Sequence, residues 1–222
     1  MRLVAIVAVA LCLAGCSSPA PATVDAVPRD DAPVVAFYGD SYTRGTGASD
    51  PVARWSTIVC EQRGWTEFNP SANGLGFINN RHTIGDGDLP SLIIEQEPDI
   101  VIVTMGLNDN FAYSYAGDKI QQQIEDDLRR LKEALPNARI VVVEPFWYTD
   151  ERPDSVEIIN GWVRDAAANL PADYISGASR WIEGHPEWMA VDRLHPNDKG
   201  YAELAKRMDA ELTKLGLSPL LN

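Results

Sequence analysis

Val34-Val35-Ala36-Phe37-Tyr38-Gly39-Asp40-Ser41 is the stretch from which the rest of the chain can be read. Its first five residues are apolar or aromatic at every position, so a strand made of them has no face for water. Such runs belong to parallel sheets covered on both sides. Two more runs of this kind follow, Asp99 to Thr104 and Arg139 to Glu144. Shorter runs at Trp65 to Asn69 and Asp173 to Ser176 read as edge strands. Between them, helices are expected at 52–63, 89–96, 117–134, 154–169 and 197–215. The third has Ile120, Ile124, Leu128, Leu131 and Leu135 on one face, and the last has Leu204, Met208, Leu212 and Leu215. Asn197 is placed to cap that last helix. Repeated strand–helix units with right-handed crossovers give an α/β fold, a three-layer α/β/α sandwich on a mostly parallel five-stranded sheet. Ligands in such folds sit beyond the carboxyl ends of the strands.

Ser41 stands at that edge, directly after the first strand. A neutral hydroxyl is a weak nucleophile and needs a base, which in turn needs an orienting partner. Asp192-Arg193-Leu194-His195, near the other end of the chain, offers both. Two segments between them, Asn73-Gly74-Leu75-Gly76 and Gly106-Leu107-Asn108-Asp109, place Gly and Asn after expected strands. Backbone N–H groups and an Asn amide are the donors that a developing oxyanion requires.

Gly39-Asp40-Ser41-Tyr42, Gly74, Gly106-Leu107-Asn108-Asp109 and Asp192-Arg193-Leu194-His195-Pro196, in this order, resemble the SGNH (GDSL-like) hydrolases over roughly residues 33–217. The resemblance implies a flavodoxin-like sandwich with Ser41 as nucleophile, His195 as general base and then acid, and Asp192 as its orienter. It also implies an oxyanion hole made by the Ser41 N–H, the Gly74 N–H and the Asn108 side chain. Gly74 is preferred to Gly76 because of the spacing Asn69-x-Ser71-x-x-Gly74. One departure is Tyr42, where many members carry leucine.

The 222 residues suit one domain with a sizeable core. Met1-Arg2 followed by apolar Leu3 to Leu11 is too short to span a bilayer and reads as a secretory signal. Leu13-Ala14-Gly15-Cys16 resembles a bacterial lipobox, which implies a signal peptide over 1–15 and a lipid on Cys16. Residues 16–32, rich in Ser, Pro and Ala, read as a flexible tether, and 218–222 as a tail. The expected location is therefore the outer side of a bacterial membrane, reached through the Cys16 lipid. Cys60 is left as a lone thiol, read as a small buried residue.

Other residues have plainer readings. Asp40 is expected to accept backbone N–H groups in its own turn, and Asp109 to order the loop that aims Asn108. His82 reads as a polar loop residue, while His185 fits a cleft wall or an ordinary loop. Asp86-Gly87-Asp88 fails the calcium-loop pattern, because Pro90 and Ser91 stand where an oxygen ligand and glycine belong, and Asp88 reads as a helix cap. Gly74-Leu75-Gly76 lacks the third glycine of a dinucleotide site, and no zinc-ligand spacing occurs. No metal and no cofactor are expected. Phe111, Tyr113, Tyr115 and Phe146-Trp147-Tyr148 fall where either cleft walls or buried loops belong. A net charge of −13 disfavours nucleic acid and anionic lipid as partners. The expected activity is hydrolysis of carboxylic esters of short acyl groups, glycans or lipids. Acyl transfer by the same groups, or a non-catalytic binding protein, are the alternatives.

Overall fold

The computed structural model describes residues 32–84 and 87–217. Five strands, β1 (Val34–Tyr38), β2 (Thr66–Phe68), β3 (Ile100–Val103), β4 (Arg139–Val143) and β5 (Asp173–Ile175), form one sheet in the order β2-β1-β3-β4-β5, parallel throughout. The two short strands are its edges, as their weaker patterns imply. Among the described residues six helices cover it: α1 (Ser41–Arg44), α2 (Trp55–Arg63), α3 (Leu89–Gln96), α4 (Tyr113–Ala134), α5 (Asp154–Ala168) and α6 (Asp198–Lys214). The fold is the expected three-layer α/β/α sandwich.

Alternation along each strand feeds two cores. Val35, Phe37, Ile102, Val141 and Val143 pack under α2 and α6 with Trp55, Val59, Tyr201, Leu204, Met208 and Leu212. Ala36, Tyr38, Val101, Val103 and Val142 pack under α3, α4 and α5 with Ile93, Ile120, Ile124, Leu128, Leu131 and Val163. Cys60 is buried in the first core, where desolvation pushes its thiol well up. Asn197 caps α6, its side chain accepting from the Gly200 N–H at 3.1 Å.

Two expected helices differ in their starts. The span 52–63 divides into a 3₁₀ turn at Pro51–Ala53 and α2, because Asp50 caps the turn through the Val52 N–H and Arg54 is extended. The helix α4 begins at Tyr113 rather than 117, with an irregular Ala116 (φ −137°, ψ 16°) joining its first turn to the rest. The signal and tail expected at 1–15 and 218–222, and the tether expected at 16–32 but for its last residue, including Cys16, lie outside the described residues.

The strand order reverses direction between β1 and β3, and there the chain ends of the two central strands diverge. Such a switch point opens a crevice at the carboxyl edge. Ser41 follows β1 and Asn108 follows β3, so both stand at that crevice.

Candidate active site

Ser41 is the first residue of α1, a single turn whose N-cap is Asp40. The Asp40 carboxylate accepts the Tyr42 N–H at 2.9 Å, as expected of a short acid in a turn. The Thr43 hydroxyl meets that of Thr104 at 2.6 Å, tying α1 to the end of β3. Ser41 is buried to 5 % exposure and so is presented from below the surface.

The Asn108 side chain joins three of the four sequence segments. Its Nδ2 donates to the Leu75 carbonyl at 2.9 Å and to Asp40 Oδ2 at 3.2 Å. Asp109, beside it, is buried and accepts the N–H groups of Phe77, Ile78 and Asn79 at 2.7, 2.9 and 3.1 Å. Asp109 therefore orders the loop after Gly74, whose Leu75 carbonyl in turn accepts from the Asn108 amide. Gly76 donates its N–H to the Asn79 carbonyl at 2.8 Å, whereas the Gly74 N–H has no acceptor among the described residues. Gly74 holds φ +69°, a conformation open to glycine and costly for other residues.

The fourth segment is a turn built on Asp192. One carboxylate oxygen accepts the N–H groups of Leu194 and His195, both at 3.0 Å. The other lies 2.7 Å from His195 Nδ1. An ionised carboxylate only accepts, so Nδ1 carries the proton and Nε2 presents its lone pair. Partial desolvation would raise the Asp192 pKa, but the bonds from His195 and Leu194 bring it down to about 2. The opposite holds at Asp40, where burial pushes the carboxyl up to about 7 against the Tyr42 N–H, with Asp109 adding to the rise. Burial also raises Asp109 against its three N–H donors.

Contacts carry this turn to the Ser41 helix. The Tyr42 hydroxyl donates to the Leu194 carbonyl at 2.7 Å, and the Tyr42 and His195 ring centres lie 6.1 Å apart. Farther along, Ser49 donates from its N–H and hydroxyl to Asp198 at 2.7 and 2.6 Å, and the Tyr201 hydroxyl donates to the Thr46 carbonyl at 2.7 Å. No hydrogen bond joins Ser41 to His195 directly within the described residues. Reacting groups of this kind often stand apart without substrate. The Tyr42, Ser49 and Tyr201 contacts had no mark in the sequence beyond an unusual tyrosine.

Other expectations sort readily. Phe146 and Trp147 are buried, Phe146 lying under Tyr42 with ring centres 5.7 Å apart, so they are core rather than wall. Tyr113 stacks on Trp162, while Phe111 and Tyr115 are exposed beside the Asn108 loop. His185 stacks on Trp188 and, with Tyr148 and Arg193, lines a surface cavity of about 560 Å³ beside the Asp192 turn. His82 is exposed and Asp88 caps α3 through the Ser91 N–H. Among the described residues no cluster of His, Cys, Asp or Glu is arranged to hold a metal, and no helix is long and apolar enough to cross a membrane.

Residues 37–203 match the GDSL-like Lipase/Acylhydrolase family. The chain is 24 % identical over 182 residues to the GDSL lipase Rv0518 of Mycobacterium tuberculosis, covering 78 % of this chain and 79 % of that protein. The psychrotrophic esterase EstA of Pseudoalteromonas sp., in a structure inhibited by monoethylphosphonate, superposes with a TM-score of 0.64 at 18 % identity, covering 82 % of this chain and 98 % of that one. The salicylyl-acyltransferase SsfX3 of a tetracycline biosynthetic pathway superposes at 0.68 and 20 % identity, over 87 % of this chain and 58 % of that one. These structural likenesses carry the fold, and the family match spans all four sequence segments. The chain therefore belongs to the GDSL-like lipase/acylhydrolase family and is an SGNH hydrolase.

Proposed function

We propose that the protein is an esterase that works through an acyl-enzyme on Ser41. His195 Nε2 takes the proton of the Ser41 hydroxyl as its oxygen attacks an ester carbonyl. Asp192 holds the ring through Nδ1, leaving Nε2 to act as base, and stabilises the imidazolium that forms. The carbonyl oxygen becomes an oxyanion, and the Ser41 and Gly74 N–H groups, neither bonded to an acceptor among the described residues, receive it with Asn108 Nδ2. The Asn108 bond to Asp40 is the longer of its two and is the one the oxyanion replaces. His195 then protonates the leaving alcohol, and water, activated by the same ring, releases the acid and frees Ser41.

The observation that carries this reading is the Asp192–His195 pair, held at 2.7 Å and bonded through Leu194 to the residue next to Ser41. Hydrolysis of short p-nitrophenyl esters tests it. Ser41→Ala and His195→Ala should abolish turnover, and Asn108→Ala should lower kcat by roughly 10²–10³. Wild-type rates in both of the first two variants would refute it, as would failure of a fluorophosphonate to label Ser41.

Transfer to a sugar or lipid hydroxyl is the second reading, favoured by the acyltransferase among the similar structures. Product analysis with such an acceptor separates the two, since an esterase yields free acid alone. The Leu13-Ala14-Gly15-Cys16 segment supports attachment of the enzyme to the outer side of a bacterial membrane through a lipid on Cys16. Its substrates would then be acyl esters of the envelope, and mass spectrometry of the membrane-extracted protein tests for the lipid.

A further inference from the structure

We infer that Tyr42 is a positioning residue, whose hydroxyl sets the orientation of His195 by holding the peptide unit from which that residue hangs. The inference rests on the roles given to Ser41 and His195 above. The Leu194–His195 peptide is gripped at both ends. Its carbonyl accepts from the Tyr42 hydroxyl at 2.7 Å, and its N–H donates to Asp192 at 3.0 Å. With both ends bonded, the peptide plane cannot turn, and the His195 carbonyl, which accepts the Ala190 N–H at 2.8 Å, restrains rotation about N–Cα, so the direction of the His195 Cα–Cβ bond is set.

Tyr42 itself has little freedom. It is fully buried, its ring lies against Phe146 at 5.7 Å and 21°, and its carbonyl accepts the Trp55 indole N–H at 3.1 Å. A ring so packed delivers its hydroxyl to one point. Because Tyr42 is also the neighbour of Ser41 in α1, the bond fixes nucleophile and base relative to each other across 152 positions of sequence. The ties at Ser49–Asp198 and Tyr201–Thr46 hold the start of α6 and the loop after α1, but neither reaches the residue before His195. Leucine at position 42 has no donor, so a chain with leucine here must orient its histidine otherwise.

Tyr42→Phe keeps the ring and removes the hydroxyl alone. Leu194 is only half-buried, so its freed carbonyl can bond to water and the fold should persist. The expected result with a short p-nitrophenyl ester is a kcat lower by about tenfold, below the ~10²-fold that follows a full 1 Å misplacement. KM should stay within twofold, the rate of fluorophosphonate labelling of Ser41 should fall in proportion to kcat, and Tm should hold. Tyr42→Leu, which also loses the stacked ring, should lower kcat and Tm together. A Tyr42→Phe enzyme with kcat within twofold of wild type would overturn the inference, as would one whose Tm falls as far as that of Tyr42→Leu. A wild-type protein that neither turns over the ester nor takes the label would instead refute the esterase reading beneath it.

Discussion

Replacing Gly47 by alanine should disable the site without replacing any residue that meets substrate. Gly47 lies in the loop after α1 at φ +96°. A methyl group there would stand 2.5 Å from the Pro196 carbonyl oxygen and 3.1 Å from His195 Cβ. Ordinary contact begins near 3.4 Å, so the two loops must separate by roughly 0.9 Å. The Pro196 carbonyl is main chain and cannot rotate away as a flexible side chain would. The Met189–Pro196 bridge holds that stretch of main chain in place. The displacement therefore passes to His195, and a shift of about 1 Å costs on the order of 10² in rate. The left-handed backbone adds roughly 1–3 kcal/mol of strain, which for a domain of this size lowers Tm by about 2–12 °C. Steady-state kinetics on p-nitrophenyl acetate with a thermal melt in the same buffer measure both. A folded Gly47→Ala enzyme with kcat/KM within threefold of wild type would show that the loops are not rigidly coupled, and the reasoning would fall.

Two further outcomes are expected. Asp109→Ala strands three N–H groups, of which that of Phe77 is fully buried, and should cost roughly 2–4 kcal/mol, at about 1–3 per buried unsatisfied donor. A melt within 2 °C of wild type would contradict it. Asp40 binds its proton more tightly folded, near pH 7, than unfolded, near 3.8, so ionising it opposes folding. Its contribution is present in full below pH 4 and is lost as pH rises from about 4 to about 7. Urea unfolding across that range should show wild type losing stability relative to Asp40→Asn, and parallel curves would refute the assignment.

Much of the fold was legible because it rests on periodicity. Runs such as Ile100 to Val103 have no polar position, and only a sheet covered on both faces accepts them. The apolar stripe of α4 announced its buried face equally well. What escaped was local. The helix α1 has four residues, too few for any repeat, and is held by the Asp40 cap and the Thr43–Thr104 contact. Gly117 and two tyrosines hid the first turn of α4, which packs through Tyr113 against Trp162. At the site, residue types and order pointed to Ser41, Asn108, Asp192 and His195. The choice of Gly74 over Gly76 had only spacing behind it, because the Gly76–Asn79 bond that occupies the Gly76 N–H is a tertiary detail of the loop.

The sequence by itself determined which strands lie at the centre of the sheet and which side chains are candidates for the chemistry, because burial and functional groups are properties of residues and their near neighbours. Which groups face one another was decided only in three dimensions. The Tyr42 hydroxyl meets Leu194, Gly47 lies against Pro196, and Asp109 gathers the Phe77–Asn79 loop. Each contact joins segments far apart along the chain, and no local pattern encodes the distance between them.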